Sequence, residues 1–143
     1  MSNSDRLISI LGEMFGVDEV EVDAALIDRM ISALEPVAAD DIVCLMAGTD
    51  DSFVTTSEGL EGLRGVWADW LSTFASVRFE IESMDEVGEN VLVMARQIGT
   101  TRHGGVEISQ PSAALWKFRE GIVQQVEFHL DRDKAIESAG KPA

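Results

Sequence analysis

Apolar residues recur at helical intervals near the start of the chain: Leu7, Ile8, Ile10, Leu11, Met14 and Phe15 give one sticky face from Ser4 to Phe15, and Gly16 supplies a stop. The acidic stretch from Val17 to Asp23 reads as a connector. A second helix is predicted from Ala24 to Leu34, ended at Glu35-Pro36 because the residue before a proline avoids the helical region. A third, short helix is expected over Ala38 to Met46, closed by Gly48. Asp50 and Asp51 then mark a turn, and Ser52 to Thr56 reads as a short strand. The next helix is the clearest: Leu60, Leu63, Trp67, Trp70, Leu71 and Phe74 share one face, with Arg64 and Asp69 on the other side.

From Val77 the period drops from about 3.6 to about 2. Val77, Phe79 and Ile81 alternate with Arg78, Glu80 and Glu82. A turn at Gly88-Glu89-Asn90 leads to a strand from Val91 to Thr101, and a turn at Arg102 to Gly105 leads to another from Val106 to Phe118. A last strand runs from Ile122 to Asp131, before a short helix from Arg132 to Ser138 closed by Gly140. Reading Arg119-Glu120-Gly121 as a three-residue loop pairs Phe118 with Ile122, Trp116 with Gln124, Ala114 with Val126 and Ser112 with Phe128. One face of this hairpin then carries Phe118, Trp116, Ala114, Val126, Phe128 and Leu130, and the other carries Lys117, Arg119, Gln125, Glu127, His129 and Asp131. Helices followed by hairpins make an α+β domain in which helices cover the apolar side of a curved sheet.

At 143 residues the chain is read as a single domain, and 45% hydrophobic residues suffice for a packed core. The net charge of −15 repels phosphate backbones and anionic lipid, so neither nucleic acid nor membrane is an expected partner. No signal peptide is visible at the start. The single cysteine, Cys44, fits a reducing cytoplasm and reads as a small buried hydrophobe within an apolar run, with no neighbouring base to activate it. Only two histidines, far apart in sequence, leave no metal set, and no cofactor is expected.

The segments from Gly59 to Leu71 (GLEGLRGVWADWL), from Trp116 to Val123 (WKFREGIV) and from Leu130 to Gly140 (LDRDKAIESAG) make the chain resemble the SnoaL-like group of the nuclear transport factor 2-like superfamily, relatives of ketosteroid isomerase and limonene epoxide hydrolase. The resemblance covers about residues 22–143, so residues 1–20 read as an N-terminal helical extension and 21–143 as the SnoaL-like domain. It implies a cone: three helices on a bent, mostly antiparallel sheet, a pocket at the open end, and commonly a homodimer. The extra first helix is expected to lid the pocket or extend the dimer contact.

The residues that give such cones their chemistry are mostly missing. Isomerase-type proton transfer needs a carboxylate base and donors such as tyrosine; the chain has no tyrosine, and Thr56 stands where the base would be. Of the epoxide hydrolase Asp-Arg-Asp set, Arg96 matches the arginine while Ile98 and Phe128 occupy the carboxylate positions. The His and Asp of SnoaL-type cyclases fall on Ala114 and Phe128. Arg96 shares strand parity with Leu92, Met94 and Ile98, and reads equally as a ligand-binding group or as a rim or dimer ion-pair partner. His129 reads as an outer-face residue and His103 as a solvent-exposed loop residue. Thr56, Gln110 and Ser112 either orient a ligand or satisfy backbone groups, and Trp67, Trp70 and Trp116 either wall a pocket or simply pack.

The favoured expectation is a small-molecule binding domain for an apolar or aromatic ligand. Its pocket is expected to be lined by Thr56, Trp67, Met94, Arg96, Ile98, Ala114, Trp116 and Phe128, with no residue assigned a catalytic role. The alternatives are a non-catalytic dimerisation domain with a closed cavity, and a cyclase-like or isomerase-like enzyme that uses other residues.

Overall fold

The structure, a computed structural model, describes residues 2–11, 20–47 and 54–141. In chain order its elements are α1 (Asn3–Ile10), β1 (Val20–Val22), α2 (Ala24–Leu34), β2 (Ala38–Ala47), β3 (Val54–Glu58), α3 (Gly59–Ser72), β4 (Phe74–Val87), β5 (Asn90–Thr101), β6 (Glu107–Arg119), β7 (Ile122–His129) and α4 (Arg132–Ala139). The expected extension of the first helix to Phe15, its stop at Gly16, the closing Gly48 and the turn at Asp50-Asp51 lie outside the described residues.

The strands form one seven-stranded sheet in the order β1-β4-β5-β6-β7-β2-β3, antiparallel except where β2 runs parallel to β7. The sheet curls around three helices. From α2 come the buried Leu26, Ile27, Ile31 and Leu34, from α3 Leu63 and Trp67, and from α1 Leu7. These meet Val77, Val91, Val93, Trp116, Phe118, Val123 and Val126 from the inner face of the sheet. Local chemistry sets the helix starts: the Asp23 carboxylate accepts from the Leu26 amide at 2.8 Å, and Asp131 accepts from Asp133 at 3.0 Å. The architecture is a helix-filled half-barrel, the cone-shaped α+β fold.

Two expectations about elements change. The segment from Ala38 to Met46 is strand β2, not a helix. Ile42 and Cys44 point into the core while β7 and β3 pair on its two sides, and a short apolar run buried in this way carries no periodicity that separates strand from helix. Within the expected connector, Val20–Val22 forms a short strand on the edge of β4. The last helix, α4, packs on the opposite face of the sheet from the other three. Its small Ala135 and Ala139 sit against Leu92, Ala113 and Leu115. Asn90 holds it there, donating to the carbonyls of Ala139 and Lys141 at 3.0 and 2.9 Å, and Arg132 donates to the carbonyl of Ala95 at 2.7 Å.

The β6–β7 hairpin keeps its expected faces through a different register. Its turn is the two-residue Glu120-Gly121, both left-handed at φ 52° and 79°, rather than a three-residue loop. That shifts the pairing by one residue, and the bulge at Gln124 shifts it by one more, giving Trp116 opposite Val126 and Ala114 opposite Phe128. Two shifts restore parity, so the apolar set still faces inward.

Candidate functional site

Between the helices and the inner face of the sheet lies a cavity of about 360 Å³. Its sheet wall is built by period-two positions: Val93, Ala95 and Gln97 from β5, Gln110, Ser112, Ala114 and Trp116 from β6, and Phe128 from β7. Phe79 and Ile81 of β4 and Met46 of β2 extend it. The helices contribute Trp67 and Trp70, Ile27 and Met30, and Leu11 follows directly on α1 to close one side.

The aromatic rings are ordered against one another. Trp67 meets Phe128 edge-on with centroids 5.9 Å apart, and Trp70 stacks on Phe79 at 5.5 Å while meeting Phe74 edge-on at 6.1 Å. Gly99 makes room for this arrangement: a Cβ there would stand 2.5 Å from Cδ1 of Phe74. Glycine is required at this place by close approach, because the Phe74 ring lies against the β5 backbone.

Four of the residues expected to line a pocket do line the cavity: Trp67, Ala114, Trp116 and Phe128. Four do not. The β5 expectation took the wrong parity, and Met94, Arg96 and Ile98 lie on the outer face, with Met94 against the α4 cluster and Arg96 donating to the Ser109 hydroxyl at 3.0 Å. Both faces of β5 are apolar because α4 covers the outer one, so alternation alone could not choose between them. Thr56 pairs with Leu45 and is exposed on the outer side of β3. The residues that sequence reasoning missed, Val93, Ala95 and Gln97, carry one usable signal. Gln110 is paired with Gln97, so the face of one fixes the face of the other.

A buried charged cluster centred on Glu127 lies behind the cavity wall, on the α4 side of the sheet, and its His129, expected on the outer face, reaches the cavity. There Glu127 is buried and receives Lys117 Nζ at 3.2 Å, Gln125 Nε2 at 2.6 Å and the Ser138 hydroxyl at 3.1 Å, with His129 Nε2 at 2.8 Å. Burial alone would raise the Glu127 carboxyl; His129, Ser138 and Lys117 outweigh it and hold it down at about 2. His129 is the one titratable side chain among the described residues that touch the cavity, and Glu127 engages its Nε2. Burial also pushes the Cys44 thiol up to about 11, opposed by the neighbouring Ser57 hydroxyl, which makes it a poor nucleophile. Among the described residues there is no group of three or more His, Cys, Asp or Glu that could hold a metal, and no helix long and apolar enough to cross a membrane.

Comparison with known structures places this architecture. A putative SnoaL-like polyketide cyclase from a Jannaschia species superposes with a TM-score of 0.68 at 16% identity, over 99% of this chain and 93% of its own. A protein of ketosteroid isomerase-like fold from Catenulispora acidiphila, solved in complex with trimethylamine, gives 0.62 at 16% identity over 96% and 94%. TerC, co-crystallised with polyporic acid, gives 0.63 at 16% identity over 97% and 98%. No curated protein matches the sequence at a significant level. The family model for the SnoaL-like domain matches residues 21–126, most of the chain. With the cone and its cavity, that match identifies the chain as a member of the SnoaL-like domain family.

Proposed function

We propose that the chain is a small-molecule binding domain whose cavity takes a neutral, largely aromatic or alicyclic ligand. The observation that carries this reading is the chemistry of the wall: aromatic and aliphatic side chains around about 360 Å³, with no carboxylate, lysine or arginine among the described lining residues. That volume falls at the small end of the range of about 300–1,000 Å³ typical of ligand sites. A charged ligand would lose its hydration there with only His129, already engaged by Glu127, as an ionisable neighbour among the described residues, which is costly in an apolar cavity. Proton transfer of the isomerase kind needs a carboxylate base beside the substrate, and none lines this cavity among the described residues. Two of the similar folds named above were solved with small molecules, trimethylamine and polyporic acid, which supports binding as a use of the cone. The cytoplasmic homodimer that the sequence suggests belongs to the same proposal and is checked by mass in solution.

Paired aromatic probes test the reading. Thermal unfolding is followed with 2-naphthol, uncharged at neutral pH, and with 2-naphthoate, its carboxylate counterpart. The account expects the melting temperature to rise with 2-naphthol and to stay unchanged with 2-naphthoate. A larger rise with the carboxylate would sink it.

A further inference from the structure

Gln97 and Gln110 stand directly opposite each other on β5 and β6, and both line the cavity. The other polar side chains of the wall, indoles aside, already have protein partners. Thr73 donates its hydroxyl to the Trp70 carbonyl at 2.7 Å, Ser112 donates to the Ala95 carbonyl at 3.3 Å, and His129 is bound to Glu127 at 2.8 Å through Nε2, its Nδ1 being buried without a partner. Among the described residues neither carboxamide of the glutamine pair has such a partner, whereas Gln125 is tied to Glu127 at 2.6 Å. Directly opposed side chains on one sheet face leave their Cβ atoms about 4.5–5.5 Å apart, so the two amide groups open side by side into the same space. Each carboxamide carries an acceptor oxygen and two N–H donors. The indoles of Trp67, Trp70 and Trp116 add donors only. Of the side chains that line the cavity, the two glutamines therefore bring a pair of unpartnered acceptors side by side, and His129 Nδ1 is a separate, single one.

We propose that Gln97 and Gln110 form the polar recognition site of the cavity. It selects a neutral ring ligand that carries a hydrogen-bond donor and an acceptor on adjacent atoms of one edge, as in a lactam or a hydroxy-carbonyl compound. The inference rests on the binding reading above and adds the edge of the ligand that the cavity reads. One glutamine accepts from the ligand donor while the other donates to its acceptor, and the ring body lies among Trp67, Trp70, Trp116 and Phe128. An aromatic hydrocarbon fits the same volume but leaves both amides unmatched, which a polar wall group in an apolar enclosure disfavours.

The test compares 2-quinolinone, whose ring N–H and carbonyl are adjacent, with naphthalene, its apolar counterpart. Each is titrated by calorimetry into the wild-type chain, into Gln97→Leu and Gln110→Leu, and into the double variant. The double variant is expected to weaken 2-quinolinone by roughly tenfold or more while naphthalene binds as well or better. Equal weakening of both probes, or an unchanged affinity for 2-quinolinone, overturns the inference and leaves the binding reading intact. Wild-type protein that binds neither probe overturns both. Gln97→Asn and Gln110→Asn, which retract the amides without removing them, guard against misfolding and are expected to weaken 2-quinolinone selectively.

Discussion

Gly99 and Phe74 show how one backbone position can set the shape of the cavity. A side chain at Gly99 collides with a ring that is itself packed on Trp70. Gly99→Val is expected to push Phe74 toward the cavity and to cost about 1–3 kcal/mol, as overpacking does, measured by urea unfolding. Glu127 belongs to the same scale. Its carboxyl is held at about 2 against an ordinary 4.5, so the folded state binds its proton less readily than the unfolded chain does. The stability it contributes is therefore full above pH 4.5 and is lost as the pH falls toward 2. Glu127→Gln should flatten the acid limb of a stability–pH curve between those values. Glu127→Ala, by breaking the buried pair with Lys117, should cost about 3–5 kcal/mol at neutral pH. The polar face that carries Lys117, Glu127 and His129 was legible from alternation alone. Their burial was not, because it depends on α4 folding back over that face, a long-range event that strand periodicity does not record.

At the level of elements, α1 is fastened at its N-terminal end. The Glu86 carboxylate receives the Ser4 amide at 3.0 Å, and Asn3 donates to the Glu89 carbonyl at 2.7 Å, while Leu7 is fully buried beneath the helix. The carboxylate of Glu86 thus sits at a helix N-terminus, where backbone N–H groups favour negative charge, and its carboxyl is shifted down by the Ser4 amide. Leu7→Ala is expected to destabilise by about 2–5 kcal/mol in chemical denaturation. Because Leu11 touches the cavity, loosening α1 should also speed exchange of a bound probe. The helices of residues 24–34 and 59–72 were legible because their apolar residues repeat at helical spacing on a single face. β2 was not, since Ile42, Val43, Cys44, Leu45 and Met46 form a continuous apolar run, and only its pairing with β7 and β3 makes it a strand. β5 failed differently: its limits were legible, but its inner face was not, because Leu92 and Met94 pack against α4 as Val91 and Val93 pack against the inner core.

Across the whole molecule, the switch from helical to alternating periods was enough to give an α+β domain, and the resemblance carried by its segments, which implied the cone, agrees with the family match over residues 21–126. What the chain could not reveal by pattern was which residues the closed shape brings together. The rings of α3, the β4 residue Phe79 and the far strands β6 and β7 meet only when the sheet curls, and curvature comes from bulges and shifts in register. The cavity is a property of that closure. Filling it is thus the most direct test of the central claim that this apolar space is a ligand site. Ala114 lines it, opposite Val93 on one side and Phe128 on the other. Calorimetric titration of 2-naphthol into wild type and into Ala114→Phe, with circular dichroism to confirm that both are folded, decides the matter. One-to-one binding to the wild type that is lost in the filled variant is the predicted result; a folded Ala114→Phe that binds the probe as well as wild type, or a wild type that binds none, would contradict it.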